Sequence, residues 1–237
     1  MYTMKNSYGL LLILSLIGPM MNLPAQTAQI HWDFENSQNR KTIEVVGGKA
    51  DTLEGYFGLA PGTKGNGLTL DGFTACLKGS GTRQLQGLKE FTIEAWIALG
   101  EYPWNWCPIL TTESNEVKGY RLMVGPLGQA ALECAIGEQW ITCTSDRDAL
   151  PLRKWMHIAG VYRENSDMSL YINGELAANI KIKGSYSSTR ADFVLGMVAA
   201  PGKPSDIHRT WGTVPQYFGL DGILDEVKVY NTALTSA

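Results

Sequence analysis

The stretch WMHIAGVYRENSDMSLYINGELAA, residues 155–178, is the strongest indication of the fold in the sequence. Its first part, residues 155–162, is apolar at both alternating sets of positions, which is typical of a central β-strand covered on both faces. A polar turn follows, and residues 168–172 then alternate Met, Leu and Ile with Ser and Tyr up to Asn173-Gly174. Asn-Gly is a strong hairpin signal because a type I′ turn needs positive φ at both central residues. The stretch therefore predicts the middle of an antiparallel meander.

The rest of the chain supplies further short strand patterns separated by Gly, Pro and Asn turns. Residues 29–35 (QIHWDFE) alternate apolar with polar side chains, and residues 91–97 (FTIEAWI) and 222–230 (GILDEVKVY) are also strand-like. The sequence has no convincing amphipathic helix of ten or more residues and no internal repeat. These patterns predict an all-β sandwich. The tryptophans inside strand patterns are predicted to lie in the core: Trp32, Trp96 and Trp155.

The first 25 residues are predicted to be a signal peptide. Lys5 precedes a charge-free apolar run at residues 8–21, and small residues near Ala25 follow it. The run is too short to cross a bilayer comfortably, and the alternative is a buried first helix. We therefore expect one sandwich domain at residues 26–237 of a protein that is secreted, periplasmic or at the cell surface. We expect no membrane span after signal cleavage.

The charge balance argues against nucleic acid as a partner. The chain has 20 Lys and Arg against 23 Asp and Glu, a formal net charge of −3 at pH 7. No basic run exceeds two residues, so no patch that would neutralise a phosphate backbone is visible in the sequence.

Four cysteines lie in the predicted domain: Cys76, Cys107, Cys134 and Cys143. Export permits disulfides, and Cys134 and Cys143 flank a predicted hairpin. With a four-residue loop at residues 137–140 they would lie directly opposite each other, close enough to bridge. We expect this pair, with Cys76–Cys107 less favoured. A zinc site is not expected, because no C-x-x-C and no clustered histidines occur.

Five segments appear in an order that resembles one known family. They are GLTLDG (residues 67–72), FTIEAWI (91–97), WMHIAGVY (155–162), LYINGE (170–175) and LDGILDEVKVYNTAL (220–234). Together they resemble the laminin-G-like domains of the concanavalin A-like lectin/glucanase superfamily, of the type found in exported bacterial proteins.

The resemblance covers residues 29–237 and implies a jelly-roll sandwich of two curved antiparallel sheets. Domains of this kind are appended to glycoside hydrolases, sialidases, sulfatases or surface proteins, and many bind glycans or calcium. Because the final strand often leads into a further short turn in this family, we expect the sequence to be an N-terminal fragment. The fold alone does not fix the function.

Asp225 is the most informative carboxylate for a metal site. In a regular strand it shares the core face with Ile223 and Val227, so it must be paired, hydrogen-bonded or bound to a metal. Ca²⁺ takes six to eight oxygen ligands, and the resemblance allows a structural calcium between the terminal strands. The predicted calcium ligands are Asp225, Asp33, Glu35 and Asp221. The alternative is an Asp225 carboxylate that accepts backbone N–H bonds from an adjoining loop.

Tryptophans outside the strand patterns are the candidate glycan contacts. Trp104 and Trp106 are two residues apart and would face one side of a strand, and Trp211 lies in a long irregular stretch at residues 199–218. An indole can stack on a sugar ring while polar neighbours bind its hydroxyls. The predicted ligand-binding residues are Trp104, Trp106, Trp211, Arg209, His208 and Tyr217. The alternative is that these indoles fill the ends of the core.

No catalytic residues are predicted. Glucanases of this fold resemble one another in an E-x-D-x-E or E-x-D-x-x-E motif, which is absent here. Asp225 and Glu226 are adjacent and would face opposite sides of a strand, and no G-x-S-x-G elbow occurs.

The sequence therefore predicts a non-catalytic carbohydrate-binding module of an exported protein, accessory to a glycoside hydrolase or another polysaccharide-processing enzyme. Its partners would be a polysaccharide or glycan and a neighbouring catalytic domain. The first alternative is a structural spacer that packs on such a domain, and the less favoured one is a glycan hydrolase in its own right.

Overall fold

The computed structural model describes residues 26–83, 86–112, 116–198 and 219–235. The predicted signal peptide lies outside these residues. Within them the chain forms seventeen β-strands and one 3-10 turn, Gly81–Arg83. The strands are β1 (Ile30–Trp32), β2 (Ser37–Gln38), β3 (Lys41–Ile43), β4 (Ala50–Glu54), β5 (Gly58–Pro61), β6 (Asn66–Asp71), β7 (Cys76–Gly79), β8 (Glu90–Leu99), β9 (Cys107–Thr111), β10 (Tyr120–Val124), β11 (Ala130–Ile136), β12 (Gln139–Thr144), β13 (Trp155–Arg163), β14 (Asp167–Ile172), β15 (Glu175–Lys181), β16 (Phe193–Leu195) and β17 (Asp221–Tyr230).

These strands form two antiparallel sheets that pack face to face. The first sheet has the order β15-β14-β13-β8-β17-β6-β5, with β1 also pairing with β17. The second has the order β12-β11-β10-β9-β16-β7-β4-β3-β2. Side chains from both sheets form a shared apolar core; for example, the backbone of Gly160 in β13 lies directly over Leu132 of β11. The predicted all-β sandwich of antiparallel sheets is confirmed.

The meander at residues 155–178 is also confirmed. Strand β13 pairs with β8 on one side and β14 on the other, and β14 returns as β15. Asn173 and Gly174 form the turn with φ of 52° and 80°, as a type I′ turn requires. The turn sets the pairs next to it, Ile172 with Glu175 and Tyr171 with Leu176, and a β-bulge shifts the register between Tyr171 and Leu170.

The tryptophan predictions hold only in part. Trp32 is fully buried in the core, where its ring lies 5.4 Å from that of Phe193. Trp96 and Trp155 are half-buried on the outer face of the first sheet instead. In β8 the core positions are the neighbours of Trp96, including Ala95, so strand alternation turns the indole outward.

The predicted face of Asp225 is wrong, because β17 contains a β-bulge. Asp225 pairs with Trp96 and Lys228 pairs with Glu94, so β17 has one more residue than β8 between these two pairs. Glu226 at the bulge has a φ of 49°. A bulge interrupts the regular alternation of faces. Asp225 consequently lies on the outer face of its sheet, beside Trp96, and not with the aliphatic core residues of β17.

The predicted Cys134–Cys143 disulfide is not formed: both residues are present as thiols, and all four cysteines are buried. The loop has two residues, not four: Ile136 pairs with Gln139 across Gly137-Glu138. Cys134 then pairs with Ile141, which leaves Cys143 diagonally displaced. Diagonal Cα atoms are about 7–8 Å apart, whereas a disulfide usually joins Cα atoms about 4.4–6.8 Å apart.

A search of the described ranges for helices long and apolar enough to cross a membrane finds none.

Candidate functional site

Three segments of the chain meet at one end of the first sheet. Strand β17 pairs antiparallel with both β6 and β8, so the start of β17 lies beside the ends of those two strands. The segments enclose a pocket of about 140 Å³ between the β6–β7 turn, the β8–β9 loop and Asp221. The described residues that line it are Gly72, Phe73, Glu101, Tyr102, Pro103, Trp104, Gly219 and Asp221.

Asp71 builds the β6–β7 turn that forms one wall. Its Oδ1 accepts hydrogen bonds from the backbone N–H groups of Phe73 (3.0 Å), Thr74 (2.7 Å) and Ala75 (2.8 Å), and its Oδ2 accepts one from the Thr74 hydroxyl (2.5 Å). Burial raises the pKa of Asp71, but these donors outweigh it and hold the pKa below its ordinary value. The turn places the Phe73 ring at its tip, where 62% of the residue is exposed.

The β8–β9 loop is anchored at two aromatic residues. The Tyr102 hydroxyl donates to the carbonyl oxygen of Leu150 (3.0 Å), and its ring lies against Gly128. The Trp106 indole packs over the backbone of Gly125. Between these anchors Trp104 is 68% exposed and lines the pocket.

The predicted pair of tryptophans is therefore divided by the structure. Trp104 and Trp106 lie in an irregular loop, not in a strand, and do not share a face. Trp104 points into the pocket region, whereas Trp106 covers a neighbouring turn. The other predicted glycan contacts are Trp211, Arg209, His208 and Tyr217, and all four lie outside the described residues.

Asp221 lies between two glycines that leave room for its side chain. A Cβ atom on Gly100 would come within 2.3 Å of Asp221 Oδ1, and one on Gly72 within 3.2 Å of Asp221 Cβ. In the part of the chain that the structure describes, no group donates a hydrogen bond to this carboxylate. Burial raises the pKa of Asp221, and the negative charges of Glu101 and Asp71 raise it further.

Glu101 contributes a second carboxylate to the pocket. Among the described residues Glu101 forms an ion pair with Arg153, whose Nη2 is 3.7 Å from Glu101 Oε1. The two side chains are 69% and 79% exposed, so solvent screens this pair strongly. The charges of the described wall are therefore predominantly negative.

The predicted calcium ligands do not form a calcium site. Asp225 is fully buried because the β5–β6 loop covers it. Its Oδ2 accepts hydrogen bonds from Thr63 N (2.8 Å), Thr63 Oγ1 (2.8 Å) and Lys64 N (3.0 Å), and its Oδ1 accepts one from Glu226 N (2.7 Å). A cation here would have to displace three N–H donors, so these residues do not fit a metal. The alternative derived from the sequence, a carboxylate bound by loop amides, matches these contacts.

The other predicted ligands are engaged separately. Glu35 accepts hydrogen bonds from Asn66 N (2.7 Å) and Nδ2 (3.1 Å), and Asp33 Oδ1 accepts one from Glu35 N (3.2 Å). Asp221 lines the aromatic pocket. Over the described ranges, no three His, Cys, Asp or Glu side chains are grouped to hold a metal ion. Calcium binding by this chain stays a prediction without a site that fits it.

A second polar cluster, not predicted from the sequence, lies on the outer face of the first sheet. Glu226 Oε2 is 3.2 Å from His31 Nε2 and 2.8 Å from Lys228 Nζ. Lys228 Nζ is 3.5 Å from Glu94 Oε1, and Glu94 Oε2 is 3.3 Å from His157 Nε2.

This network keeps both glutamates ionised. Burial raises the pKa of Glu94, but hydrogen bonds from His157 and Tyr230 and the charges nearby hold it below its ordinary value. Burial likewise raises the pKa of Glu226, but the hydrogen bond and the positive charge of Lys228 hold it below its ordinary value. Both shifts are opposite in direction to the raised pKa of a glycosidase general acid.

The comparisons with known proteins bear on the fold. A laminin-G family model, described as the concanavalin A-like lectin/glucanases superfamily, matches residues 74–237. No curated protein matches the sequence. Domain 4 of AbnA, a GH43 extracellular arabinanase from Geobacillus stearothermophilus solved in complex with arabinotriose, is similar with a TM-score of 0.64 and 18% identity, over 89% of this chain and 95% of that one.

Toxin binding domains have the same fold. The binding domain of botulinum neurotoxin serotype G is similar with a TM-score of 0.65 and 12% identity, over 89% of this chain and 49% of that one. The binding domain of botulinum neurotoxin DC in complex with SialylT is similar with a TM-score of 0.62 and 13% identity, over 88% of this chain and 49% of that one. The present chain thus spans about half the length of these toxin domains. At such identities the likeness shows the fold alone: a concanavalin A-like jelly roll.

Proposed function

Because this chain belongs to the concanavalin A-like lectin/glucanases superfamily, we propose that it is a non-catalytic carbohydrate-binding module whose site is the pocket around Trp104. The exposure of Trp104 carries the proposal. The loop is anchored on both sides of this residue, yet 68% of Trp104 is exposed. Full burial of a large apolar side chain contributes about 1.5–3 kcal/mol. A ligand that covers Trp104 would therefore gain binding free energy of this order.

The chemistry of the pocket suits a sugar. A pyranose or furanose ring has an apolar face of C–H groups, which can pack on an indole or phenyl ring, and a rim of hydroxyl groups, which donate to carboxylates. Trp104 and Phe73 offer the rings, and Asp221 offers an acceptor without a donor of its own in the described residues. Ligand sites commonly combine mostly apolar walls with a few well-placed polar groups.

The structural relatives support the same class of ligand. The arabinanase domain was solved with arabinotriose, and a neurotoxin binding domain with SialylT. The arabinanase example is one domain of an extracellular glycoside hydrolase. By analogy, we infer that the present module is exported and serves a neighbouring polysaccharide-processing domain.

The test is a binding screen of the purified chain against a panel of polysaccharides, followed by calorimetry with each one that binds. Trp104→Ala should weaken binding at least about tenfold, a change of about 1.4 kcal/mol. The control is Leu176→Ala, which removes an exposed apolar side chain from β15, four strands away from β17 in the first sheet. Unchanged affinity in Trp104→Ala would place the site elsewhere. A folded chain that binds no glycan would favour the spacer function.

Hydrolysis is the second candidate function, and one observation favours it. Glu101 and Asp221 line the same pocket, and the pKa of Asp221 is raised by burial and by its acidic neighbours. Glycosidases use a pair of carboxyl groups, one of them with a raised pKa. The test is release of reducing ends from each polysaccharide that binds. We expect none above the rate of Asp221→Asn, and turnover that this substitution abolishes would establish an enzyme.

A further inference from the structure

The pocket around Trp104 combines aromatic rings with carboxylates and no described cation. Its rings belong to Phe73, Tyr102 and Trp104, and its charged groups are Glu101 and Asp221. We propose that this pocket selects a sugar carrying a protonated amine over the same sugar with a hydroxyl group or a carboxylate. The inference rests on the proposed function, because it specifies the ligand of the same site.

The aromatic walls favour a cation directly. The face of an aromatic ring carries negative potential that attracts ammonium groups, and tryptophan attracts them most strongly. Trp104 is the most exposed of the three rings, and Tyr102 is fixed by its hydrogen bond to Leu150. An amino sugar could therefore place its C–H face and its ammonium group against rings that are already in position.

The carboxylates favour a cation for a separate reason. Asp221 has no donor among the described residues, and an ammonium group would give it a charge-assisted hydrogen bond, stronger than one from a neutral hydroxyl. Asp221 also lies within the electrostatic influence of Glu101 and Asp71. Asp71 is kept ionised by its four donors in the β6–β7 turn. A cation would relieve this concentration of negative charge, whereas a uronic or sialic acid would add to it.

The positive charge of Arg153 does not cancel the preference of the pocket for an ammonium group. Arg153 is 3.7 Å from Glu101, but it is 79% exposed and does not line the pocket. At exposures of 79% and 69%, the charges of Arg153 and Glu101 are both screened by solvent and salt, so the preference depends chiefly on Asp221. The negative charge of Asp221, which lies deeper between Gly72 and Gly100, has no described cation beside it.

The size of the pocket defines suitable probes. A volume of about 140 Å³ is below the roughly 300–1,000 Å³ of pockets that enclose drug-sized ligands, so one sugar ring is the matching unit. Matched monosaccharides differ at one position only: glucosamine and glucose, galactosamine and galactose, mannosamine and mannose. Glucuronic and galacturonic acid provide the anionic partners.

Affinities would be measured by ligand-observed and protein-observed NMR titration of the full chain at neutral pH and low ionic strength. We expect at least one amino sugar to bind about tenfold tighter than its hydroxyl partner, and its uronic acid partner to bind more weakly still. The advantage should shrink in about 1 M salt, where the Debye length falls to about 3 Å. Asp221→Asn should bring the amine-to-hydroxyl ratio close to one.

Two further variants keep the test decisive. Glu101→Gln changes an exposed side chain and should lower the ratio with little effect on folding. Glu175→Gln removes the same charge from β15, away from the pocket, and should leave the ratio unchanged.

The inference and the proposed function fail in different ways. If polysaccharides bind through Trp104 but no amino sugar binds more tightly than its hydroxyl partner, the charge preference is overturned and the binding function stands. If Glu175→Gln lowers the ratio as much as Asp221→Asn, the preference comes from net charge and not from the pocket, which also overturns it. If the folded chain binds no carbohydrate of any kind, both are overturned.

Discussion

Removing the Asp225 carboxylate tests the account of the β-bulge and the loop that covers it. In Asp225→Ala, four donors lose their acceptor: the N–H and hydroxyl of Thr63 and the N–H groups of Lys64 and Glu226. The Thr63 and Lys64 residues are exposed, so water can replace the carboxylate there. The Glu226 N–H belongs to a buried residue at the bulge and has no such replacement.

The magnitude follows from these four contacts. A buried donor left unsatisfied costs about 1–3 kcal/mol, and an exchanged hydrogen bond about 0.5–1.5 kcal/mol. One unsatisfied buried donor and three exchanged hydrogen bonds together give a loss of about 2.5–7.5 kcal/mol in the free energy of unfolding for Asp225→Ala. Asp225→Asn keeps one oxygen acceptor but sets an NH₂ group against a donor, so we expect a loss of about 1–3 kcal/mol.

The assay is urea unfolding with and without Ca²⁺ or a chelator, read as a shift in midpoint at constant slope. The matched control is Asp33→Ala, which removes another predicted calcium ligand but only one hydrogen bond, from Glu35 at 3.2 Å. Its loss should stay near about 0.5 kcal/mol. We expect no calcium dependence in the wild type or the variants. A loss below about 1 kcal/mol for Asp225→Ala, or one that appears only with Ca²⁺, would refute the hydrogen-bonded role.

Three further outcomes can be measured. Arg83→Ala should lower the free energy of unfolding by about 3–5 kcal/mol in chemical denaturation, because it leaves the buried Asp51 carboxylate, now 2.5 Å from Arg83 Nη2, without its cation. The fold lowers the pKa of Glu94, so its ionised carboxylate stabilises the folded state above pH 4.5, the ordinary Glu pKa. This stabilisation is lost as the pH falls through the lower pKa of the folded state. Glu94→Gln should therefore reduce the loss of stability at acid pH in a curve of unfolding free energy against pH. Gly100→Ala should weaken glycan binding in calorimetry because its Cβ would displace the Asp221 carboxylate, and an affinity equal to wild type would contradict the placement of that group.

Local signals predicted the meander and missed one turn. Asn173-Gly174 specifies its turn within two residues, so the sequence was sufficient. Gly137-Glu138 also carried a signal in the sequence, because a type II′ turn has Gly at its first central position. In the structure Gly137 has the positive φ that this position requires, 62°. A two-residue turn fits this glycine better than the predicted four-residue loop, and the change moves Cys143 away from Cys134.

The bulge in β17 could not be predicted in the same way. Its sequence alternates as an ordinary strand would, and the extra residue becomes apparent only from the pairing of Asp225 with Trp96 and Lys228 with Glu94. Cross-strand register depends on the partner strand, which is distant in sequence. The burial of Asp225 likewise comes from a loop more than 150 residues earlier in the chain.

The candidate site was predicted in part for a similar reason. Trp104 stood out as a tryptophan outside the strand patterns, and Asp221 was predicted as a ligand for a metal, not as a pocket wall. Phe73 and Tyr102 were missed because their role depends on which segments meet at the end of the sheet. The signal available for Phe73 was an aromatic residue directly after Asp71-Gly72, at the tip of a short turn between two strands.

Chemical-shift mapping reports which residues of the chain lie at the bound glycan. A ¹H–¹⁵N spectrum of the chain is titrated with whichever glycan binds in the screen. We expect the largest shifts at the indole Nε1–H of Trp104 and the backbone N–H groups of Phe73 and Gly100. Shifts confined to the outer face of the first sheet, around Trp96 and His157, would contradict it and place the sugar on the other polar cluster.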